Sequence, residues 1–191
     1  MKITFIEIIE YVSVTMAIVS VACDIKRYIA ARFFALLSSI FSLYVFYMHM
    51  LYGRCLLAAT MMFMQIYGIC IWKWGTQIQR NQVITRLKKQ ELAYFLIIGS
   101  ISAYALSLFL AHIGQINFYN IDAVNTVFSI VANWLLVNKK LENWMIWFFL
   151  SIIYFFVVLK QQLYGFALLQ VGYVILDSWG YYTWRKSYKK Q

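Results

Sequence analysis

The sequence predicts an all-α integral membrane protein of seven transmembrane helices arranged as two similar halves. Composition, apolar stretches of spanning length and an internal repeat each point to this class. Of the 191 residues, 63% are hydrophobic and 13% are charged, and the mean hydropathy is +0.69. Soluble domains average roughly 45–50% apolar and about 25% charged residues. A soluble chain of this size buries only about 70% of its unfolded surface, so much apolar surface would meet water. Lipid therefore surrounds most of this protein.

Seven stretches are apolar over the length of about 20 residues that a helix needs to cross a bilayer. We predict them near residues 3–23, 28–49, 55–74, 93–112, 122–138, 143–159 and 163–184, the last interrupted by Asp177. None alternates with a period of two over about ten residues, as a membrane β-strand does. Helices are therefore predicted throughout. The polar stretch over residues 75–91 is predicted to be a mobile or amphipathic cytoplasmic loop.

The chain repeats itself at a distance of 112 residues. Leu51-Tyr52-Gly53 corresponds to Leu163-Tyr164-Gly165, and Trp72-Lys73 corresponds to Trp184-Arg185. The paired spans are four helices apart, so both copies must point the same way across the membrane. We predict a single membrane domain over residues 1–191 with a parallel 3+1+3 bundle: a first three-helix repeat over 3–74, a loop and connector helix over 75–112, and a second repeat over 122–184. Such repeats are common in transporters, which bind solutes at the repeat interface.

Lysines and arginines segregate to one side of the predicted membrane. If the amino terminus lies outside, only Lys2, Arg54 and Lys160 are on the outer side, and Arg32 lies near an inner helix end. The other basic residues lie inside: Lys26, Arg27, Lys73, Arg80, Arg86, Lys88, Lys89, Lys139, Lys140, Arg185, Lys186, Lys189 and Lys190. This positive-inside pattern predicts a cytoplasmic carboxyl terminus. It also explains the net charge of +10 better than nucleic-acid binding does.

No catalytic or metal-binding pattern is present in the sequence. His49 and His112 have no His, Cys or Glu at ligand spacing, and the motifs of serine hydrolases, P-loop nucleotide binding and zinc proteases are absent. We therefore predict no metal and no cofactor. An intramembrane enzyme is the weaker class beside a transporter.

The fifth span has a polar stripe on one face. The spacings of 3, 4 and 7–8 residues place five polar side chains together: Asp122, Asn125, Thr126, Ser129 and Asn133. The two carboxamides are larger than interhelical hydrogen bonding requires, which favours a cavity wall over simple helix contact. Asp122 has a second interpretation as a cap at the helix start.

The sixth span has a stripe of aromatic and polar residues, Trp144, Trp147, Ser151 and Tyr154. Beside the polar stripe of the fifth span, it suits a flat cationic solute held by stacking and cation–π attraction. Aromatic residues near span ends more often anchor a helix at the membrane interface, and that interpretation is applied to three of them: Trp72, Trp74 and Trp184.

Asp177 is a solitary carboxylate at the middle of the seventh span. An ionisable residue inside the membrane is a functional hypothesis by default. Its partner is either a substrate cation or Gln65 and Tyr67 of the repeat-related third span. A protonated or hydrogen-bonded structural role is the alternative.

One run of residues identifies a family. It reads Asp122-x-x-x-Thr126-x-x-Ser129-x-x-Ala132-x-x-Leu135-x-x-x-Lys139-Lys140-x-Glu142-Asn143-Trp144-x-x-Trp147, and Gly180-Tyr181-x-x-Trp184 follows it. This pattern resembles the PnuC-type vitamin transporters. The resemblance implies a SWEET-like 3+1+3 bundle in a bacterial inner membrane, forming homotrimers in which each protomer has its own pathway. It also implies facilitated diffusion of a vitamin precursor, chiefly nicotinamide riboside, without coupling ions or ATP. A cytoplasmic kinase then traps the solute by phosphorylation.

Two residues depart from the nicotinamide riboside branch of that family. Ser151 stands where that branch has Asn or Asp, and Asn133 stands where it often has Gln. Thiamine, also a flat cation, or a riboflavin-like vitamin is therefore the alternative solute, and a non-transporting membrane scaffold is the alternative class. We predict stacking by Trp144, Trp147 and Tyr154, and hydrogen bonds from Asn125, Asn133 and Ser151. Asp177, Gln65 and Tyr67 complete the predicted site.

Overall fold

Seven helices make up almost all of the computed structural model, which describes residues 5–48, 52–75, 83–112, 119–160 and 164–191. They are α1 (Phe5–Ile25), α2 (Ala30–Met48), α3 (Tyr52–Trp74), α4 (Lys89–His112), α5 (Tyr119–Val137), α6 (Asn143–Lys160) and α7 (Tyr164–Tyr188). Each of the seven predicted helices is confirmed, with ends that move by four residues or fewer. Within these ranges, four stretches are long and apolar enough to cross a membrane: Ile8–Ile25, Ala30–Met48, Lys89–His112 and Tyr119–Val137.

Helix α4 exposes large apolar side chains and buries small residues, the reverse of the pattern in a water-soluble protein. Ile97, Ile98 and Ile101 are 58%, 61% and 65% exposed, whereas Gly99 and Ala103 on the other face are buried. A Cβ atom on Gly99 would lie 3.1 Å from the ring of Phe128 on α5. Helices associate in membranes through such small residues, which let two backbones approach closely. The apolar face is therefore left for lipid.

The chain divides into two compact units, Met1–Gln82 and Val83–Gln191. In the first, α1 packs on α2 and α2 packs on α3. In the second, α4 packs on α5, α5 on α6, and α6 on α7. The parallel 3+1+3 arrangement stays a prediction. Several residues used to predict the repeat, the topology and the absence of a metal lie outside the described residues: Lys2, His49, Leu51, Arg80 and Leu163.

The same turn ends α1 and α5. Arg27 has a positive φ of 62°, and the N–H groups of Arg27 and Tyr28 donate to the carbonyls of Asp24 and Cys23 at 2.9 and 3.0 Å. At the position 112 residues later, Lys139 has a φ of 54°, and the two corresponding hydrogen bonds measure 3.1 and 2.8 Å. Both form the Schellman pattern, which satisfies the last carbonyls of a helix. The repeat in the sequence thus recurs in the local backbone of each unit.

Residues 83–88 belong to the stretch that is predicted to be a mobile or amphipathic cytoplasmic loop. Ile84 is only 1% exposed, and Thr85 forms a parallel bridge with Lys140 at the turn between α5 and α6. The segment is irregular but attached, because its backbone groups are paired with that turn. The rest of the predicted loop, residues 76–82, lies outside the described residues.

Candidate functional site

The aromatic and polar stripe of α6 meets α7 at two levels. At the first level, the rings of Trp144 and Trp184 pack edge to face, with centroids 5.4 Å apart and an interplanar angle of 84°. At the second level, the hydroxyl of Ser151 donates to Oδ2 of Asp177 at 3.3 Å. Residue numbers rise along α6 as they fall along α7, so the two levels belong to one antiparallel interface. The predicted stripe of α6 therefore faces the predicted carboxylate of α7.

The carboxylate of Asp177 is enclosed in the second unit without a basic residue from the surrounding spans. Asp177 is 4% exposed and Ser151 is 6% exposed. The sequence has no lysine or arginine within residues 141–159 or 164–184. A hydroxyl stabilises a buried carboxylate less than a cation does. The arrangement can therefore attract a positively charged group that enters this part of the protein.

Trp144 is enclosed by α7 and does not present an open stacking face. It is 1% exposed, and a Cβ atom on Gly180 would lie 2.5 Å from its ring. Glycine at this position lets the indole lie directly against the backbone of α7. The indole Nε1–H has no hydrogen-bond partner among the described residues. Because a buried tryptophan usually finds such a partner, this donor is notable beside a candidate binding site.

The other predicted residues of the second unit lie on α5 and α6. Asn133 is buried at 2% exposure, and Asn125 is half-buried about two turns earlier on α5. Trp147 and Tyr154 are half-buried on α6, which packs on α5. Ser129, between the two asparagines, is 4% exposed. Two residues of the polar stripe, Ser129 and Asn133, are thus buried in the unit, and its role as a cavity wall stays a prediction.

Gln65 and Tyr67 belong to the first unit, where Gln65 contacts Arg32. The side-chain oxygen of Gln65 accepts a hydrogen bond from Nη1 of Arg32 at 2.8 Å. Arg32 also forms an ion pair with Asp24, and its guanidinium carbon lies 5.2 Å from the centroid of the Trp72 ring. Tyr67 is 39% exposed. The first unit therefore contains its own buried polar cluster, formed by all three of its helices.

Sequence reasoning missed this cluster. The sequence analysis connects Arg32 only with the topology and predicts no role for Asp24. The two side chains are 1% and 3% exposed, although both are charged. One signal was available: residues of opposite charge stand eight positions apart on either side of a short turn, so the ends of consecutive helices bring them to one level.

The interface-anchor interpretation is wrong for two of its three tryptophans. Trp72 is 6% exposed because Arg32 covers its ring, and Trp184 is fully buried beside Trp144. Trp74 is 67% exposed, as an anchor should be. Contacts between helices, and not nearness to a span end, therefore determine the burial of Trp72 and Trp184.

The described residues contain no group of three or more His, Cys, Asp or Glu side chains that could hold a metal ion. The cysteines at positions 23, 55 and 70 are free thiols.

Comparisons with known proteins agree with the resemblance seen in the sequence. The family model described as "Nicotinamide mononucleotide transporter" matches residues 7–186. A crystal structure of the vitamin B3 transporter PnuC is similar to this chain with a TM-score of 0.77 and 22% identity, covering 95% of this chain and 82% of that one. A search of curated protein sequences finds no match. The predicted family is confirmed, the fold is shared, and the protein is a multi-pass membrane protein.

Proposed function

The chain belongs to the nicotinamide mononucleotide transporter family, and from that membership we propose that it carries a cationic vitamin precursor, nicotinamide riboside, into the cell by facilitated diffusion. The observation that supports this most is the buried contact of Ser151 with Asp177, on a helix interface that also contains Trp144 and Trp184. Together with the half-buried rings of Trp147 and Tyr154 on α6, this carboxylate and hydroxyl are groups that bind a flat, hydroxylated cation.

Charge favours the nucleoside over its phosphorylated form. Nicotinamide riboside has a positive ring and a neutral sugar, which suits the carboxylate of Asp177. The mononucleotide adds a phosphate of about −1.5 to −2 charge at pH 7. The same carboxylate repels that group, and residues 141–159 and 164–184 supply no lysine or arginine to compensate. We therefore assign the riboside to this site, although the family description names the mononucleotide.

The exposure of each side chain suggests its role. Trp147 and Tyr154 are half-buried on α6 and are assigned to stacking on the nicotinamide ring. Trp144 is enclosed and is assigned no stacking contact; its assigned contribution is the Nε1–H donor, which has no partner among the described residues. Gln65 and Tyr67 belong to the first unit, where Gln65 accepts from Arg32, and they are assigned no contact here. Three side chains are assigned to hydrogen bonds with the ribose hydroxyls: Asn125, Asn133 and Ser151.

The transport cycle in this proposal needs no energy source of its own. Solute moves down its gradient while the two repeats alternate access by rocking, and phosphorylation by a cytoplasmic kinase keeps it inside. The segregation of basic residues supports an outer amino terminus and an inner carboxyl terminus, and the resemblance to the family supports a bacterial inner membrane. The resemblance to the family supports a homotrimer with one pathway in each protomer.

Thiamine is the second candidate solute, because Ser151 and Asn133 depart from the nicotinamide riboside pattern. Thiamine is also an aromatic cation, and its pyrimidine amine would take the hydrogen bonds assigned to the ribose. The same carboxylate and stacking residues therefore serve either solute.

Liposomes that contain only this protein test the proposal. Labelled nicotinamide riboside, thiamine, riboflavin and nicotinamide mononucleotide are supplied without an ion gradient or ATP. We expect saturable uptake of nicotinamide riboside and none of the mononucleotide. Trp147→Ala should abolish saturable uptake while the protein keeps its helical circular dichroism. Trp179→Ala is the matched control, because Trp179 is 54% exposed on α7 and has no assigned contact.

Each outcome separates the alternatives. Saturable uptake of thiamine alone would replace the solute and keep the transporter. No uptake of any vitamin would favour the scaffold. An unchanged affinity in Trp147→Ala would remove this residue from the site.

A further inference from the structure

Residues 83–87 run against the turn that joins α5 to α6, and we call this contact the α5–α6 clasp. The N–H of Thr85 donates to the carbonyl of Lys139 at 3.0 Å, and the N–H of Leu141 donates to the carbonyl of Thr85 at 3.0 Å. Ile84 is 1% exposed, and its N–H donates to the side chain of Gln191 at 3.2 Å. These hydrogen bonds attach the segment that precedes α4 to the turn and to the carboxyl-terminal residue.

Glu142 provides the charged part of the clasp. One carboxylate oxygen accepts a hydrogen bond from Nε of Arg86 at 3.1 Å, and the other accepts from the N–H of Leu87 at 3.0 Å. The hydrogen bond to this carboxylate raises the pKa of Arg86. Arg86 is 56% exposed, so its ion pair is screened by water and contributes little. The bond to the Leu87 N–H is charge-assisted and partly buried, so it accounts for most of what Glu142 adds.

The same residue begins the helix that contains the candidate site. The carbonyl of Glu142 accepts hydrogen bonds from the N–H groups of Met145 and Ile146 at 3.1 and 3.3 Å, in the first turn of α6. The neighbouring Asn143 is fully buried, and its side-chain nitrogen donates to the carbonyl of Lys140 at 2.6 Å. The start of α6 is therefore held at the clasp by both backbone and side chains.

We propose that Glu142 is a positioning residue, which fixes the amino-terminal end of α6 through the clasp and thereby orients Trp147 and Ser151 for solute binding. Glu142 itself does not touch the solute. It acts because a helix moves as a rigid element, so a shift of its first turn displaces every side chain further along. The part of this inference that concerns the solute rests on the proposed function. The part that concerns the start of α6 does not.

Limited proteolysis of the full chain in liposomes tests the clasp directly. Trypsin cleaves after Arg86, and the cleavage rate follows the population of the open segment. We expect Glu142→Ala to raise this rate about tenfold, since a charge-assisted hydrogen bond is lost. Glu142→Gln keeps one side-chain acceptor and removes the charge, so its increase should be smaller. Glu91→Gln is the matched control, because Glu91 accepts from the Lys88 N–H at the start of its own helix and lies outside the clasp.

Two further measurements test the positioning role in the same variants. Hydrogen exchange at residues 144–147 should become faster in Glu142→Ala and stay unchanged in Glu91→Gln. The dissociation constant of nicotinamide riboside, followed by tryptophan fluorescence, should rise about tenfold in Glu142→Ala if the first turn of α6 loosens by a comparable amount.

Unchanged cleavage after Arg86 would overturn the clasp. Faster cleavage with unchanged exchange at residues 144–147 would overturn the positioning role, as would faster exchange with an unchanged dissociation constant. If the wild-type protein binds no vitamin, the proposed function fails, and the exchange measurement still decides whether Glu142 holds the start of α6.

Discussion

Both units have a tryptophan at equivalent positions, but a different side chain packs on its ring in each unit. Trp72 in the first unit corresponds to Trp184 in the second, and Arg32 corresponds to Trp144, both 112 positions apart. The guanidinium carbon of Arg32 lies 5.2 Å from the Trp72 ring centroid, and the centroids of Trp144 and Trp184 are 5.4 Å apart. The pairwise contact is the same, but one unit has a cation on the ring and the other has a second ring.

The buried carboxylates of the two units also lie at positions that are not equivalent. Asp24 of the first unit pairs with Arg32, and the equivalent residue of the second unit is Leu136. Asp177 of the second unit is equivalent to Gln65 of the first. The first unit therefore neutralises its buried charge with its own arginine. The spans of the second unit keep a carboxylate and contain no arginine or lysine near it in sequence. The equivalent positions therefore keep the contact on the tryptophan ring and differ in charge, and this difference is the basis for the proposed binding of a cation in the second unit.

The largest expected effect comes from removing the carboxylate of the first unit. Asp24→Leu introduces the residue that the second unit has at this position and leaves the buried guanidinium of Arg32 without its ion pair. Breaking such a pair from one side reduces the free energy of unfolding by about 3–5 kcal/mol. Denaturant titration in micelles measures the loss.

The double variant Asp24→Leu/Arg32→Met is the control for that experiment. Replacing both members of a buried ion pair by apolar residues is often close to neutral, so most of the stability should return. A single variant as stable as the wild type would mean that Arg32 does not depend on Asp24, and the contrast between the units would be lost.

A smaller effect is expected from the glycine beneath Trp144. In Gly180→Ala the new Cβ atom would lie 2.5 Å from the indole ring, and overpacking of this kind lowers the free energy of unfolding by about 1–3 kcal/mol. Gly172 is on the same helix, and a Cβ atom there would meet no atom of the described residues within 4 Å. Gly172→Ala should therefore be neutral or stabilising, by about 0.5–1 kcal/mol, since alanine is the better helix former. Equal thermal stability of the two variants would show that Trp144 does not lie against α7.

The sequence was sufficient for the helices and insufficient for their partners. Apolar stretches surrounded by lipid must satisfy their backbone groups internally, so their length alone predicts helices. The spacing of Ser151 and Trp144 also predicted their common face. Spacing does not determine which neighbouring helix covers that face, so it predicts an interface anchor at Trp184, which is buried against Trp144. The pair of Asp24 and Arg32 depends on a turn in which Arg27 has a positive φ. A positive φ is uncommon for arginine, so the sequence does not predict this turn.

The last prediction concerns Asp177, whose removal should change binding and spare stability. Asp177→Asn keeps an acceptor for the Ser151 hydroxyl and removes a buried charge, so the free energy of unfolding should stay the same or rise. The dissociation constant of nicotinamide riboside should rise about tenfold, equivalent to about 1.4 kcal/mol, because the attraction for the cationic ring is lost. Tryptophan fluorescence measures the affinity, and denaturant titration measures the stability. Asp24→Leu should give the opposite result, a large loss of stability. If Asp177→Asn loses as much stability as is expected for Asp24→Leu, both carboxylates are structural. The proposed difference between the two units in cation binding would then be contradicted.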